Sequence, residues 1–176
     1  MKLLVLSALA FVVLSPTFAG DRTVPAATRD GDSTKVATRF VDGMATIDEH
    51  ATGRGFKVTV KTSKAADSLF KEGFRWGGED TSAPPNLITS IVVQSGADKL
   101  FVPLSSYSDL GDPRRITLKP SATGFELAIA GGDAAVAFNA TLVFEKGRLT
   151  RRRVAHGEFP DQAWEETRYA YNTLDN

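Results

Sequence analysis

The residues able to do chemistry are few in this chain of 176 residues, which has no Cys and two His, His50 and His156. Without a thiol there is no disulfide scaffold, no thiolate nucleophile, no Cys-based zinc or iron–sulfur site and no lipidated cysteine. Two histidines also exclude an all-histidine centre of three ligands. His50 closes the run Asp48-Glu49-His50, but alternate strand residues point to opposite faces. Asp48 and His50 would supply two ligands where a closed site needs about four. At Asp30-Gly31-Asp32-Ser33 a calcium loop is equally incomplete, because Val41 falls where the closing Glu belongs. Neither a metal nor a cofactor is expected.

Nucleophilic catalysis fares no better. Ser95-Gly96 and Ser105-Ser106 lack the glycine-flanked elbow that exposes a serine nucleophile. His156, followed by Gly157-Glu158, has a base and a carboxylate side by side, yet at a strand end an exposed or capping histidine is the simpler expectation. Carboxylate pairs for glycoside hydrolysis come from different strands, so sequence alone selects none. A carboxylate-dependent hydrolase of envelope glycan therefore stands only as an alternative.

Charge is more informative locally than globally. The 21 Lys+Arg and 21 Asp+Glu give a net charge of zero, so no bulk electrostatic term favours nucleic acid. Residues 113–153 hold 8 basic against 3 acidic residues, and 158–176 hold 1 against 5. Arg148, Arg151, Arg152 and Arg153 concentrate the positive charge. Simple alternation puts Arg151 and Arg153 on one face with Leu149, and Arg152 on the other with Thr150 and Val154. Cross-strand pairing of Arg151 or Arg153 with Glu165 or Glu166 is one expectation. An anion-binding patch on Arg151 and Arg153 is the other.

Phe74, Arg75 and Trp76 lead into Gly77-Gly78-Glu79-Asp80 and then Pro84-Pro85, a long irregular stretch of the kind that carries binding residues. An exposed Trp76 could stack on a sugar ring or enter a partner's pocket; alternatively Phe74 and Trp76 lid one end of the core. Trp164, Tyr169 and Tyr171 are expected to pack. Asn139-Ala140-Thr141 matches a glycosylation acceptor, but its place within a strand argues against use.

The elements that would position these residues are strands. Phe56, Val58 and Val60 alternate with Lys57, Thr59 and Lys61, the mark of a half-buried strand. Residues 87–94 are β-branched and apolar on both faces, as a covered central strand would be. A short strand follows at 100–104. Strands at 114–119, 124–130, 134–145 and 148–156 are joined by short Gly-rich turns and form an antiparallel meander. A last strand at 164–171 adds to it. One short helix is expected at 63–72, capped by Ser63 and ended by Gly73, with a single turn at 105–110.

At the amino terminus, Lys2 and the apolar run Leu3 to Leu14 precede Thr17-Phe18-Ala19, the pattern of a signal peptide over 1–19. Residues 20–35 read as a flexible leader. One all-β domain fills 36–176, as an antiparallel β-sandwich or an open β-barrel. The expectation is an exported, periplasmic or extracellular, non-catalytic binding or assembly module. Its partner would be a glycan, an anionic polymer or a protein at the cell envelope, with no nucleic acid and no membrane span. A lipocalin-like carrier of an apolar ligand is the remaining alternative.

Overall fold

Period-two alternation builds nearly every element of this computed structural model, which describes residues 28–29, 35–49, 55–66, 76 and 84–172. The strands are β1 (Thr28–Arg29), β2 (Val36–Arg39), β3 (Met44–Glu49), β4 (Phe56–Lys64), β5 (Asn86–Ser95), β6 (Asp98–Leu100), β7 (Pro113–Pro120), β8 (Gly124–Gly131), β9 (Phe138–Glu145), β10 (Arg148–His156) and β11 (Ala163–Arg168). They form two antiparallel sheets: seven strands in the order β1-β2-β7-β8-β9-β10-β11, and four in the order β3-β4-β5-β6. The sheets pack face to face as a sandwich, and neither closes into a barrel. No helix among the described residues is long and apolar enough to cross a membrane.

The meander expected in the carboxy-terminal half is present as β7 to β10, with β11 added at the edge. Its register follows from its turns. Lys146 and Gly147 both take positive φ, 50° and 77°, the geometry whose twist matches two antiparallel strands. The same device at Asp42 and Gly43, φ 49° and 75°, lets the chain leave the wide sheet after β2 and start the narrow one at β3.

Several boundaries differ from the sequence expectation. Instead of capping a helix, Ser63 sits within β4, opposite Leu87 of β5; Lys64 ends β4, Ala65 and Ala66 are not helical, and residues 67–72 of the expected helix lie outside the described residues. No strand forms over 101–104: β6 lies earlier, at Asp98–Leu100, and shares only Leu100 with the strand expected at 100–104, while the turn expected at 105–110 is a 3₁₀ turn at Leu104–Ser106. β9 begins at Phe138 because Gly132 (φ 68°) and Ala134 (φ 44°) break the extended backbone and a 3₁₀ turn, Ala134–Val136, intervenes. Within the expected leader, Thr28–Arg29 pair with β2, and the expected signal segment 1–19 lies outside the described residues.

The core takes one face of each sheet. Ile47, Val58 and Val60 of the narrow sheet meet Ile116, Leu118, Leu127, Ile129 and Leu142 of the wide one, all with no exposed surface. Phe125 stacks on Phe144 at 4.6 Å and 12°, and tilts against Phe56 at 4.7 Å. Burying one such ring contributes about 2–3 kcal/mol. Seven strands cannot be covered by four, so the connection between β6 and β7 helps cover the wide sheet, inserting Tyr107 and Leu110 into the same core.

Candidate functional site

On the wide sheet, every second residue points away from the core. Val36, Ile116, Leu118, Leu127 and Ile129 are buried inward, so Arg39, Arg115, Thr117, Lys119, Glu126, Ala128 and Ala130 face outward on β2, β7 and β8. The same alternation turns Asn139, Thr141 and Val143 outward on β9. On β10 it turns out Arg151 and Arg153, which the register sets opposite Val143 and Thr141.

Register then assembles the outer face into rows. Arg39, Arg115, Ala130 and Asn139 lie side by side across β2, β7, β8 and β9. Ala37, Thr117, Ala128, Thr141, Arg153 and Glu166 form the next row, and Lys119, Glu126, Val143, Arg151 and Arg168 the third. The result is a floor of mostly small side chains on β8 and β9 between two basic banks, with Glu126 standing opposite Lys119 and Val143 buried at its third row. Arg39, Arg115 and Lys119 make one bank; Arg151, with Arg153 and Arg168, makes the other. Three strand spacings of about 4.8 Å separate β7 from β10, so the floor is roughly 14 Å wide between the banks.

Two pairs within these banks set like charges directly opposite each other: Arg39 faces Arg115, and Arg151 faces Arg168. Such pairs destabilise a sheet. Arg168 is held by Glu166, Nε to Oε1 3.1 Å. Arg153 donates to the backbone carbonyls of Pro160 at 2.6 Å and Asp161 at 2.9 Å. Arg39, Arg115, Lys119 and Arg151 make no ion pair among the described residues, although Lys119 stands opposite Glu126 in register. The expected pairing of Arg153 with Glu166 exists as register, with Glu166 directed to Arg168 instead.

Arg152 lies on the other side. A bulge between Leu149 and Arg151 adds one residue to β10 and reverses the parity beyond it. Leu149, Arg152 and Val154 are therefore all buried, which overturns the grouping of Leu149 with Arg151 and Arg153. The Arg152 guanidinium, 3% exposed as a residue, donates to the Ser106 carbonyl at 3.2 Å, to Asp109 Oδ2 at 2.6 Å and to Glu165 Oε1. It pins the β6–β7 connection and β11 to the uncovered part of the wide sheet. The role is structural.

Trp76 is apart from this face. It is 8% exposed and packs with Ala65 and Leu87, so its indole is a wall, not a projecting platform. The wall belongs to a pocket of about 270 Å³ shared with Pro84, Asp112, Arg114, Asp133 and Phe138. Arg114 pairs with Asp133 at 3.1 Å. Asp112 Oδ1 accepts from the backbone and side-chain nitrogens of Asn86, both at 3.1 Å. Phe74 and Arg75 lie outside the described residues.

The other candidates are placed as follows. His156 Nδ1 accepts from the Glu158 backbone N–H at 3.0 Å, and the ring packs edge-on to Trp164 at 5.4 Å; it caps a turn. Asp48 pairs with Lys57 at 3.6 Å on the narrow sheet, Glu49 is buried, and His50 lies outside the described residues. Among the described residues no three Asp, Glu or His side chains gather closely enough to hold a metal ion.

The sequence reading found Arg151 and Arg153 but missed Arg39, Arg115 and Lys119. Ile116 and Leu118 alternate with Arg115, Thr117 and Lys119 along β7, which turns Arg115 and Lys119 outward, but only the pairing of β2 with β7 brings Arg39 beside them. Set against known protein families, curated proteins and solved structures, the chain finds no match in any of the three comparisons.

Proposed function

We propose that this protein is an exported, non-catalytic module that docks a linear anionic polymer of the cell envelope on the outer face of its wide sheet. The observation that carries the reading is the pair Arg39 and Arg115, like charges set directly opposite each other with no acidic partner among the described residues. A sheet that only needed solubility would alternate charge signs across its strands. A polymer lying along the floor would neutralise Arg39 and Arg115 on one side and Arg151 on the other. Export rests on the pattern of residues 1–19.

A second reading draws on the pocket at Trp76, where Asp112 and Asp133 share one cleft, as the two carboxylates of a glycan hydrolase would. Both already have protein partners, Asn86 and Arg114. A carrier of an apolar ligand would need a hollow barrel, whereas rings and aliphatic side chains fill the space between these sheets.

The test is titration of the protein from Gly20 onward with polygalacturonate and inorganic polyphosphate, beside the triple variant Arg39→Gln/Arg115→Gln/Arg151→Gln. Saturable binding that weakens with salt and is lost in the triple variant, with the polymer left intact, supports the reading. Binding that survives in the variant overturns it. Shortening of the polymer that stops in Asp133→Asn transfers the case to the hydrolase.

A further inference from the structure

The same face ends in a groove that narrows the class of polymer. Thr123, Glu145, Lys146, Arg148, Thr150 and Tyr171 line an open groove of about 610 Å³ at the β9–β10 hairpin, a volume within the usual range of small-ligand sites, roughly 300–1,000 Å³. Glu145 follows Thr141 and Val143 on the outward parity of β9, so the groove lies on the basic side of the sheet.

Its chemistry is mixed in a particular way. Lys146 and Arg148 have no acidic partner among the described residues, and they can receive an anionic group. The Arg148 guanidinium lies 5.8 Å from the centre of the Tyr171 ring, close enough for a cation–π contact that holds the ring in place. Tyr171 Oη is shielded from solvent and has no hydrogen-bond partner among the described residues, so the ring offers the groove its apolar face. Glu145 accepts the Thr150 hydroxyl on Oε2 at 3.1 Å, which fixes a carboxylate inside an otherwise basic groove.

A densely charged phosphate chain would be repelled by Glu145 and would gain nothing from an aromatic ring. A sugar ring bearing one carboxylate uses all of these groups. Its apolar face packs on Tyr171, its hydroxyls donate to Glu145 and bond with Thr123, and its carboxylate meets Lys146 and Arg148. We infer that the groove is a subsite for an acidic sugar residue, and that the polymer taken by the basic face is a polyuronate-type glycan. The inference rests on the docking reading above.

The test titrates the protein with polygalacturonate oligomers and with inorganic polyphosphate of matched charge, using the unaltered chain, Tyr171→Ala and Tyr171→Phe, with thermal melts to establish that each variant is folded. The expected result is that Tyr171→Ala weakens oligogalacturonate binding about fivefold or more and leaves polyphosphate binding as it was, while Tyr171→Phe keeps the stacking surface and most of the affinity. Equal binding of both polymers, unaffected by Tyr171→Ala, overturns the subsite and leaves the basic face standing. Binding of neither polymer by the unaltered chain overturns the face and the subsite together.

Discussion

Arg39 of β2 stands directly across from Arg115 of β7 on the outer face of the wide sheet, and neither has an acidic partner among the described residues. Opposed residues in an antiparallel pair have Cβ atoms about 4.5–5.5 Å apart, so the two guanidinium groups repel when nothing lies between them. Stability and binding should therefore move in opposite directions. Arg39→Thr is expected to raise the unfolding free energy by about 0.5 kcal/mol at low salt and to weaken polyanion binding. Denaturant unfolding at two ionic strengths checks the first effect and titration the second. A variant that is both less stable and fully competent to bind would show that the pair is not kept for a ligand.

Arg152 tests a different relationship, the hold of a buried cation on two separate elements. Arg152→Ala leaves Asp109 and Glu165 without their shared partner and is expected to cost about 3 kcal/mol. Glu165→Gln should cost much less, because the Glu165 carboxylate is 40% exposed and Asp109 still pairs with Arg152. Chemical denaturation of both variants measures the difference. Equal losses would mean that β11, and not the β6–β7 connection, depends on the guanidinium.

What could be read in advance was whatever depended on neighbours in sequence. The β7 to β10 meander was legible because Gly131-Gly132 and Lys146-Gly147 mark local turns and alternation marks the faces between them. The side chosen by Arg152 was not, since one extra residue at the bulge reverses parity and nothing in the composition of Leu149-Thr150-Arg151 announces it. Arg39 beside Arg115 was hidden for another reason: β2 and β7 are far apart in the chain, and the whole narrow sheet lies between them in sequence. The Gly and Pro around Trp76 allow either an exposed platform or a residue that lids one end of the core, and only the packing against Ala65 and Leu87, which buries it, decides between them.

Tyr171 gives a pH-dependent signature. Partial desolvation is the largest cause raising its pKa above the ordinary 10.0, Tyr169 adds to the rise, and Arg148 opposes it. A phenol whose folded pKa is raised holds its proton more tightly when folded, so its contribution to stability is complete below the unfolded pKa. That contribution is lost as pH climbs through the folded value. Phenolate absorbance should show a tyrosine that ionises later than a free phenol and is missing in Tyr171→Phe. Arg148→Ala, by removing the nearby positive charge, should delay that ionisation further. An unchanged ionisation in Arg148→Ala would place the guanidinium away from the ring in solution.

Ala128 offers the cleanest way to separate the floor from its banks. It lies at the middle of β8, outward, between Thr117 of β7 and Thr141 of β9, so a longer side chain there enters solvent without disturbing the core. Ala128→Glu is expected to change stability by no more than about 0.5 kcal/mol, yet it plants a carboxylate where the polymer's charges would run. Binding should be lost at low salt, where repulsion is least screened. Ala128→Gln occupies nearly the same volume without charge and serves as the comparison. Loss in Ala128→Glu alone means that charge decides occupancy of the floor; loss in both means that the polymer touches the floor and needs it flat. Unchanged affinity in both would move the polymer off the sheet face entirely, because a chain bridging Arg115 and Arg151 has no route that avoids Ala128 and its neighbours.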